Sequence, residues 1–251
     1  MWLFQIGLAA MIAAGQTQGP GADLSPAQRA EAYRRTVEGG LKAERSSFAE
    51  RADLVRFVDR ALLDVVAPTK PEFELFRLLA LARAAESVER YMPEDPAQRE
   101  WLAAHRNELV YSESGGVWLV GSDLFWQLEV RYRGSPVGER IAWEAALNGL
   151  PGECEGFVNC YFAVMLLLDA KYLEFYPRGP HLDAALDRID YLFKEVLNDK
   201  DGAIYAVDPA DRAALQEQVR ELGAILQRLA NPRKNEMLER LNQIAIKFSK
   251  S

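Results

Sequence analysis

Histidine and cysteine are almost missing from this chain, with two of each in 251 residues. That scarcity removes most metal chemistry. Zinc sites draw on Cys, His and carboxylates at set spacings, and His105 and His181 stand at no recognised spacing. There is no Lys/Arg block, and 37 acidic against 30 basic residues leave a net charge of -7. Both features argue against a nucleic-acid partner. C-x-x-C, H-E-x-x-H, phosphate-loop and dinucleotide fingerprints do not occur, and Ser112 and Ser114 beside Gly115-Gly116 lack the nucleophile elbow. No cofactor or metal is expected. No apolar run reaches the ~20 residues of a stable membrane-spanning helix.

The amino terminus does carry a shorter apolar run. Trp2 through Ala14 has only Gln5 as a polar residue, and Ala13-Ala14-Gly15 precedes polar Gln16-Thr17-Gln18. That pattern fits a secretory h-region with a small-residue cleavage site after Gly15. The first basic residue is Arg29, so the positive n-region reduces to the α-amino group: the signal is a weak one, or translation starts upstream. The alternative is an apolar tail or a helix packed on the domain. No Cys follows the run, which removes the lipoprotein anchor. The expected organisation is a signal peptide over 1–15, a linker over 16–24 and one helical domain over 25–251. A division into two subdomains at a hairpin near 108–121 is the variant of that scheme. Export places the protein in the periplasm or outside the cell.

Proline supplies the architecture. Seven of the twelve prolines follow a good or acceptable helix cap: Ser25-Pro26, Lys70-Pro71, Asp95-Pro96, Ser135-Pro136, Gly179-Pro180, Asp208-Pro209 and Asn231-Pro232. Proline suits the first helical position, where its missing N–H has no partner to lose. Ser25-x-x-Gln28 and Asp95-x-x-Gln98 also match the reciprocal capping box. Helices are predicted from Pro26 towards Val66 with a break at Gly39-Gly40, then over 71–91, 96–107, 122–131, 136–148, 156–176, 180–198, 209–229 and 232–248. The last three carry apolar stripes at three- and four-residue steps: Leu182/Leu186/Ile189/Phe193/Val196, Leu215/Val219/Leu222/Leu226/Leu229 and Met237/Leu241/Ile244/Phe248. Leu109-Val110-Tyr111 and Val117-Trp118-Leu119-Val120 flank Ser112 to Gly116 and predict one short β-hairpin. The fold class is all-α: an antiparallel helical array with a hairpin near residues 109–120.

One internal echo stands out. Tyr132-Arg133-Gly134-Ser135-Pro136 aligns with Tyr176-Pro177-Arg178-Gly179-Pro180, forty-four residues later. Each ends a helix on an aromatic, turns on small residues and restarts on proline. Over roughly residues 123–198 the arrangement resembles the Y-P-x-S-x-x-x-x-x-A helix linker of bacterial cell-envelope tetratricopeptide-like proteins, the Tol–Pal coordinator and outer-membrane assembly lipoprotein type. The period is forty-four rather than thirty-four residues, and the W-x-x-L-G-x-x-Y signature is absent. The resemblance implies helical hairpins in part and a scaffold that binds other proteins.

Cys154 and Cys160 are the only cysteines. An even count in an exported chain points to a disulfide, with free thiols or a metal site as the alternatives. The segment from Leu197 to Asp208 echoes a calcium loop at Asp199, Asp201, Gly202 and Asp208. Leu197 occupies its first ligand position, however, and Asp208 suits the cap before Pro209 better. Glu153 and Glu155 flank Cys154 as solvated loop carboxylates. Four of the five tryptophans fall between Trp101 and Trp143, most of them core anchors. The hairpin and its neighbours Tyr111, Trp118, Phe125 and Trp126 form the candidate binding surface, since a helical array has no internal need of such an insertion.

The sequence therefore predicts an exported helical binding or scaffold protein of the bacterial envelope, with a protein or peptide partner. An envelope hydrolase with a non-obvious acidic site is one alternative. A structural protein that oligomerises through its helices is another. The export signal makes a first prediction: native protein should begin near Gln16 and lie outside the cytoplasm. Amino-terminal sequencing that reads Met1-Trp2-Leu3 would refute it.

Overall fold

Side-chain caps set where several of the helices begin. The computed structural model of the chain describes residues 23–89, 91–200 and 202–249. The signal and cleavage region, most of the linker and Asp201 lie outside the described residues. Helix α1 (Pro26–Lys42) opens on the predicted capping box: Ser25 Oγ accepts from Gln28 N–H at 3.3 Å and Gln28 Oε1 accepts from Ser25 N–H at 2.9 Å. Helix α2 (Phe48–Asp64) opens on a second box, Ser47 with Glu50, which the proline pattern does not reveal.

The predicted break at Gly39-Gly40 does not occur. α1 runs through both glycines and ends at Lys42. A Cβ on Gly40 would stand 2.9 Å from the Leu54 methyl groups, so this glycine serves the close approach of α1 to α2 rather than a turn.

Helix α3 (Lys70–Ala85) follows, with Phe73, Leu75, Phe76, Leu78, Ala80, Leu81, Ala84 and Ala85 all buried. α4 (Pro96–His105) is capped by Asp95, whose Oδ1 accepts from Ala97 N–H at 2.9 Å. Gln98 does not complete the second predicted box; it turns inward instead. The hairpin pairs β1 (Leu109–Ser112) with β2 (Val117–Val120), antiparallel, with Leu109 opposite Val120 and Tyr111 opposite Trp118. α5 (Ser122–Tyr132) and α6 (Pro136–Leu147) come next. Ser135 Oγ closes the turn between them, donating to Tyr132 O at 2.6 Å and accepting from Gly138 N–H at 3.1 Å.

The predicted helix over 156–176 is two: α7 (Val158–Leu167) and α8 (Asp169–Phe175). Leu168 leaves the helical region between them, at φ -114° and ψ -92°. α9 (Leu182–Asn198) starts two residues after Pro180; in the turn before it His181 N–H donates to the Tyr172 hydroxyl at 3.2 Å and Leu182 N–H to Gly179 O at 3.1 Å. A 3₁₀ turn (Pro209–Asp211) capped by Asp208 leads into α10 (Arg212–Arg228), and α11 (Lys234–Ser249) ends the described chain. The fold is all-α with one short β-hairpin, as the sequence pattern predicts. Among the described residues no helix is long and apolar enough to cross a membrane.

The chain divides into two compact units. One extends to Ile141 and includes Asn148–Gly152; the other comprises Ala142–Leu147 and the chain from Glu153 on. The division falls inside α6 rather than at the hairpin, because β2 packs on α3 and belongs to the first unit's core. In the second unit the three predicted stripes face inward. Leu186, Ile189 and Phe193 of α9 are buried, as are Leu222 and Leu226 of α10 and Leu241 and Ile244 of α11.

Cys154 and Cys160 form the expected disulfide, with Cα atoms 5.3 Å apart. It ties the loop before α7 to the first turn of that helix. The same loop meets the 199–208 segment: Ala206 N–H donates to Gly156 O at 3.0 Å, and Val158 N–H donates to Ala206 O at 2.9 Å. Gly156 has φ +85°, and a Cβ there would lie 2.3 Å from Ile204 O.

Closing so short a loop stabilises by about 2–2.5 kcal/mol on the chain-entropy estimate, so the Cys154→Ala/Cys160→Ala variant should fold with a loss of that order. Gly156→Ala should cost more, because it combines a disfavoured backbone angle with a clash against a carbonyl. Urea denaturation orders the two variants. A Gly156→Ala protein as stable as the parent chain would contradict this loop packing.

Candidate functional site

In the first unit, one guanidinium gathers groups from three parts of the chain. Arg77, in the middle of α3, donates through Nε to Asp59 Oδ1 of α2 at 2.7 Å and through both Nη atoms to the Glu108 carboxylate ahead of β1. His105 Nδ1 lies 3.0 Å from Glu108 Oε2. Burial pushes the Glu108 carboxyl up, and the hydrogen bonds from Arg77 and His105 bring it below the usual carboxylate range. The hydrogen bond to Glu108 leads the causes that raise Arg77. Gly121 N–H closes the base of the hairpin on Glu108 O at 2.9 Å. A lone hairpin is marginal in water. This one is held at its open end by that network and by Leu109 and Val120, both buried.

The anchoring leaves the far end of the hairpin half-exposed. Tyr111 and Trp118 face each other across the strands with ring centroids 5.3 Å apart. Tyr91, from the segment after α3, stacks on Trp118 at 5.7 Å with planes 10° apart and meets Tyr111 at 4.9 Å. Tyr91 is 57% exposed and Met92 beside it is 75% exposed. The result is a continuous aromatic patch, with exposed Met92 next to Tyr91 in the chain.

The predicted four-residue surface therefore divides. Tyr111 and Trp118 reach the surface, whereas Phe125, 1% exposed, and Trp126, 7% exposed, belong to the core. The reason is helical phase: on α5 they share the inward face with Leu128 and Glu129. Sequence reasoning misses Tyr91, which has no periodic pattern around it and is brought to the hairpin only by the return of the chain from α3.

A cavity of about 780 Å³ lies between α2 and α4, lined in part by Phe48, Val55, Asp59, Gln98, Trp101 and His105. Its wall includes two residues of the Arg77 network. Phe48 meets Trp101 edge-on at 5.6 Å, and His105 lies at 4.7 Å from the same indole. Gln98 and Trp101 are each 7% exposed, and Gln98 Oε1 and Trp101 Nε1 have no hydrogen-bond partner. A buried acceptor or donor left unpaired costs roughly 1–3 kcal/mol. A sequence signal for Gln98 exists, since it shares the buried face of α4 with Trp101 and Leu102.

Buried carboxylates are the other place to look for chemistry. Glu129, Asp169 and Asp190 are each at most 6% exposed, and each meets a guanidinium. Glu129 takes two bonds from Arg133, at 2.8 and 2.6 Å. Asp190 of α9 meets Lys194 at 2.7 Å and also Arg240 and Arg233. Burial pushes the Asp190 carboxyl up, but the Lys194 bond and the Arg240 charge hold it below the usual range. None of the three lines the cavity. Glu153 and Glu155 are exposed, as expected. Asp199 accepts from the Ala203, Ile204 and Tyr205 N–H groups at 3.0, 3.2 and 2.8 Å, so its carboxylate organises the loop that the sequence likens to a calcium site. These bonds, Tyr205 first, lower its pKa.

Asp169 is the exception. Arg188 Nε stands 3.2 Å from Oδ1, yet this oxygen accepts no hydrogen bond, so it receives attraction without a directed bond. Burial pushes its carboxyl up to about 6, and the Arg188 charge offsets only part of that. No protein-family model, curated protein or solved structure matches this chain.

An unfolded aspartate titrates near ~3.9, so folded Asp169 holds its proton more tightly. The stability from that protonation is fully present below the unfolded pKa and is lost as pH rises through about 6. Asp169→Asn cannot ionise. Its stability relative to the parent chain should therefore improve by about 2–3 kcal/mol on going from about pH 4 to about pH 7.5. Denaturant unfolding of both proteins at the two pH values measures the difference, and a pH-independent difference would show that Asp169 is not desolvated.

Proposed function

We propose that this protein is an exported helical scaffold of the bacterial cell envelope that captures a protein segment on the ring cluster of its hairpin. The observation that carries this reading is the patch of Tyr91, Tyr111, Trp118 and Met92. It is rigid, because its rings lean on one another and the hairpin base is anchored. It is accessible, because Tyr91 and Met92 are mostly exposed. Aromatic residues and Met are enriched in protein interfaces, and rigid rings lose little conformational freedom on binding.

The alternatives draw less support. A hydrolase needs carboxylates free to exchange protons at a cavity, whereas the buried ones here meet Arg side chains away from it. Oligomerisation through the last two helices needs an unused apolar stripe. Leu215, Leu222 and Leu226 of α10 and Met237, Leu241 and Ile244 of α11 are instead consumed inside the second unit. Envelope localisation and kinship with tetratricopeptide-like scaffolds rest on the apolar amino-terminal run and the repeated aromatic–turn–proline joint.

Single substitutions Tyr91→Ala, Tyr111→Ala and Trp118→Ala, read by thermal melting and by capture of partners from envelope extract, test the proposal. Tyr91→Ala should leave stability within about 1 kcal/mol and reduce capture by about thirtyfold, the scale of an interface hot spot. Steep loss of stability in all three would make the cluster structural. Undiminished capture would remove it from function.

A further inference from the structure

We propose that the cavity between α2 and α4 is a second binding site, for a short basic peptide segment, one residue of which pairs its backbone N–H and C=O with Gln98 and Trp101. Three observations converge on it. The first is the pair of unpartnered atoms. Gln98 Oε1 is an acceptor and Trp101 Nε1–H a donor, on residues three apart and therefore on one face of α4. A residue in an extended peptide turns its own N–H and C=O to the same side, and so answers both. A carboxylate or phosphate brings acceptors only and leaves Gln98 unanswered; an ammonium brings donors only and leaves Trp101 unanswered. Both atoms are without exposed surface. Binding therefore includes a turn of the Gln98 carboxamide toward the cavity and a small opening at the indole edge. Each exchanges an unpaired buried group for a hydrogen bond.

The second observation is charge. Glu89 and Glu100 stand exposed on the lining. The other charged groups of the wall are already occupied, Asp59 by Arg77 and Arg56 by Asp53. Two helix N-termini also open here, but Ser47 with Glu50 caps α2 and the Asp95 carboxylate caps α4. Among the described residues the charge of the lining favours a cation. The third observation is size and lining. About 780 Å³ falls within the range of ligand pockets, and Phe48, Ala52 and Val55 offer an apolar floor to the stem of a Lys or Arg side chain. A sugar has the right hydroxyl chemistry, but Phe48 and His105 already cover the Trp101 ring on which it would stack.

This site shares no residue with the Tyr91–Tyr111–Trp118 patch, so each can fail alone. The test titrates the full chain with acetyl-Ala-Lys-Ala-Lys-Ala-amide, its Glu counterpart and butylamine, by calorimetry and by the ¹⁵N-labelled indole resonance of Trp101, assigned through Trp101→Phe. The Lys peptide should bind at least about tenfold more tightly than either comparator, weaken with salt, and shift the Trp101 indole proton downfield. Gln98→Leu should weaken it by about tenfold or more without lowering the apo melting temperature, since the substitution removes an unpaired buried acceptor. Tyr91→Ala should bind it as the parent chain does. Three outcomes overturn the proposal: no binding at millimolar peptide, equal binding of the Lys and Glu peptides, or binding that leaves Trp101 and Gln98→Leu indifferent.

Discussion

Helix α3 is apolar on more of its circumference than a surface helix allows, and the first unit is arranged to cover it. Phe73, Leu75, Phe76, Leu81 and Ala84 point in directions that no single neighbour can bury. Helices α1, α2 and α5 and strand β2 all pack on it. Phe73, Leu75 and Phe76 are each at most 2% exposed, and burying side chains of that size is worth roughly 1.5–3 kcal/mol apiece. The one strong charge in the middle of the helix, Arg77, is placed where it bonds carboxylates from two other segments. The hairpin therefore exists as a consequence of α3. Its base is buried on that helix and bonded to the Arg77 network, and its outer half is left half-exposed with two aromatic rings.

That dependence explains why the binding features cluster. The segment leaving α3 supplies Ser87 and Glu89 to the cavity wall and, two residues on, Tyr91 to the ring patch. The cavity's other side is α4, held by the Asp95 cap and the contact of Trp101 with Phe48. Both candidate surfaces are built from short elements seated on a rigid helix, and recognition needs that geometry more than it needs reactive groups.

The second unit follows different physics. Its three long amphipathic helices bury their own stripes. Buried Asp190 is met by Lys194 of its own helix, by Arg240 of α11 and by Arg233 in the turn before α11, which ties the two helices in one register. Two loops, one closed by Cys154–Cys160 and one organised by Asp199, meet through backbone bonds at Gly156 and Ala206. Among the described residues of this unit, Asp169 is the carboxylate whose burial outweighs its partner and pushes it up to about 6.

What was legible in the sequence was local. Ser25 with Gln28, Asp95, Ser135 and Asp208 mark helix starts because a cap is made between residues two or three apart. The hairpin could be read because strand formers and a Gly-Gly turn lie within twelve residues. The disulfide was legible because two cysteines in one chain leave one pairing. The stripes of α9, α10 and α11 showed because a helix repeats its inward face every three or four residues. What the tertiary structure alone decided was which of several plausible roles each residue took. Gly40 became a helix contact instead of a break because Leu54 arrives from another helix. Gln98 became a buried amide rather than a cap, and Phe125 and Trp126 became core, because the phase of a short helix is set by its neighbours. Tyr91 joined the hairpin rings across nineteen or more residues of intervening chain. Burial and ring stacking depend on what comes back through space, and no spacing along the chain encodes that.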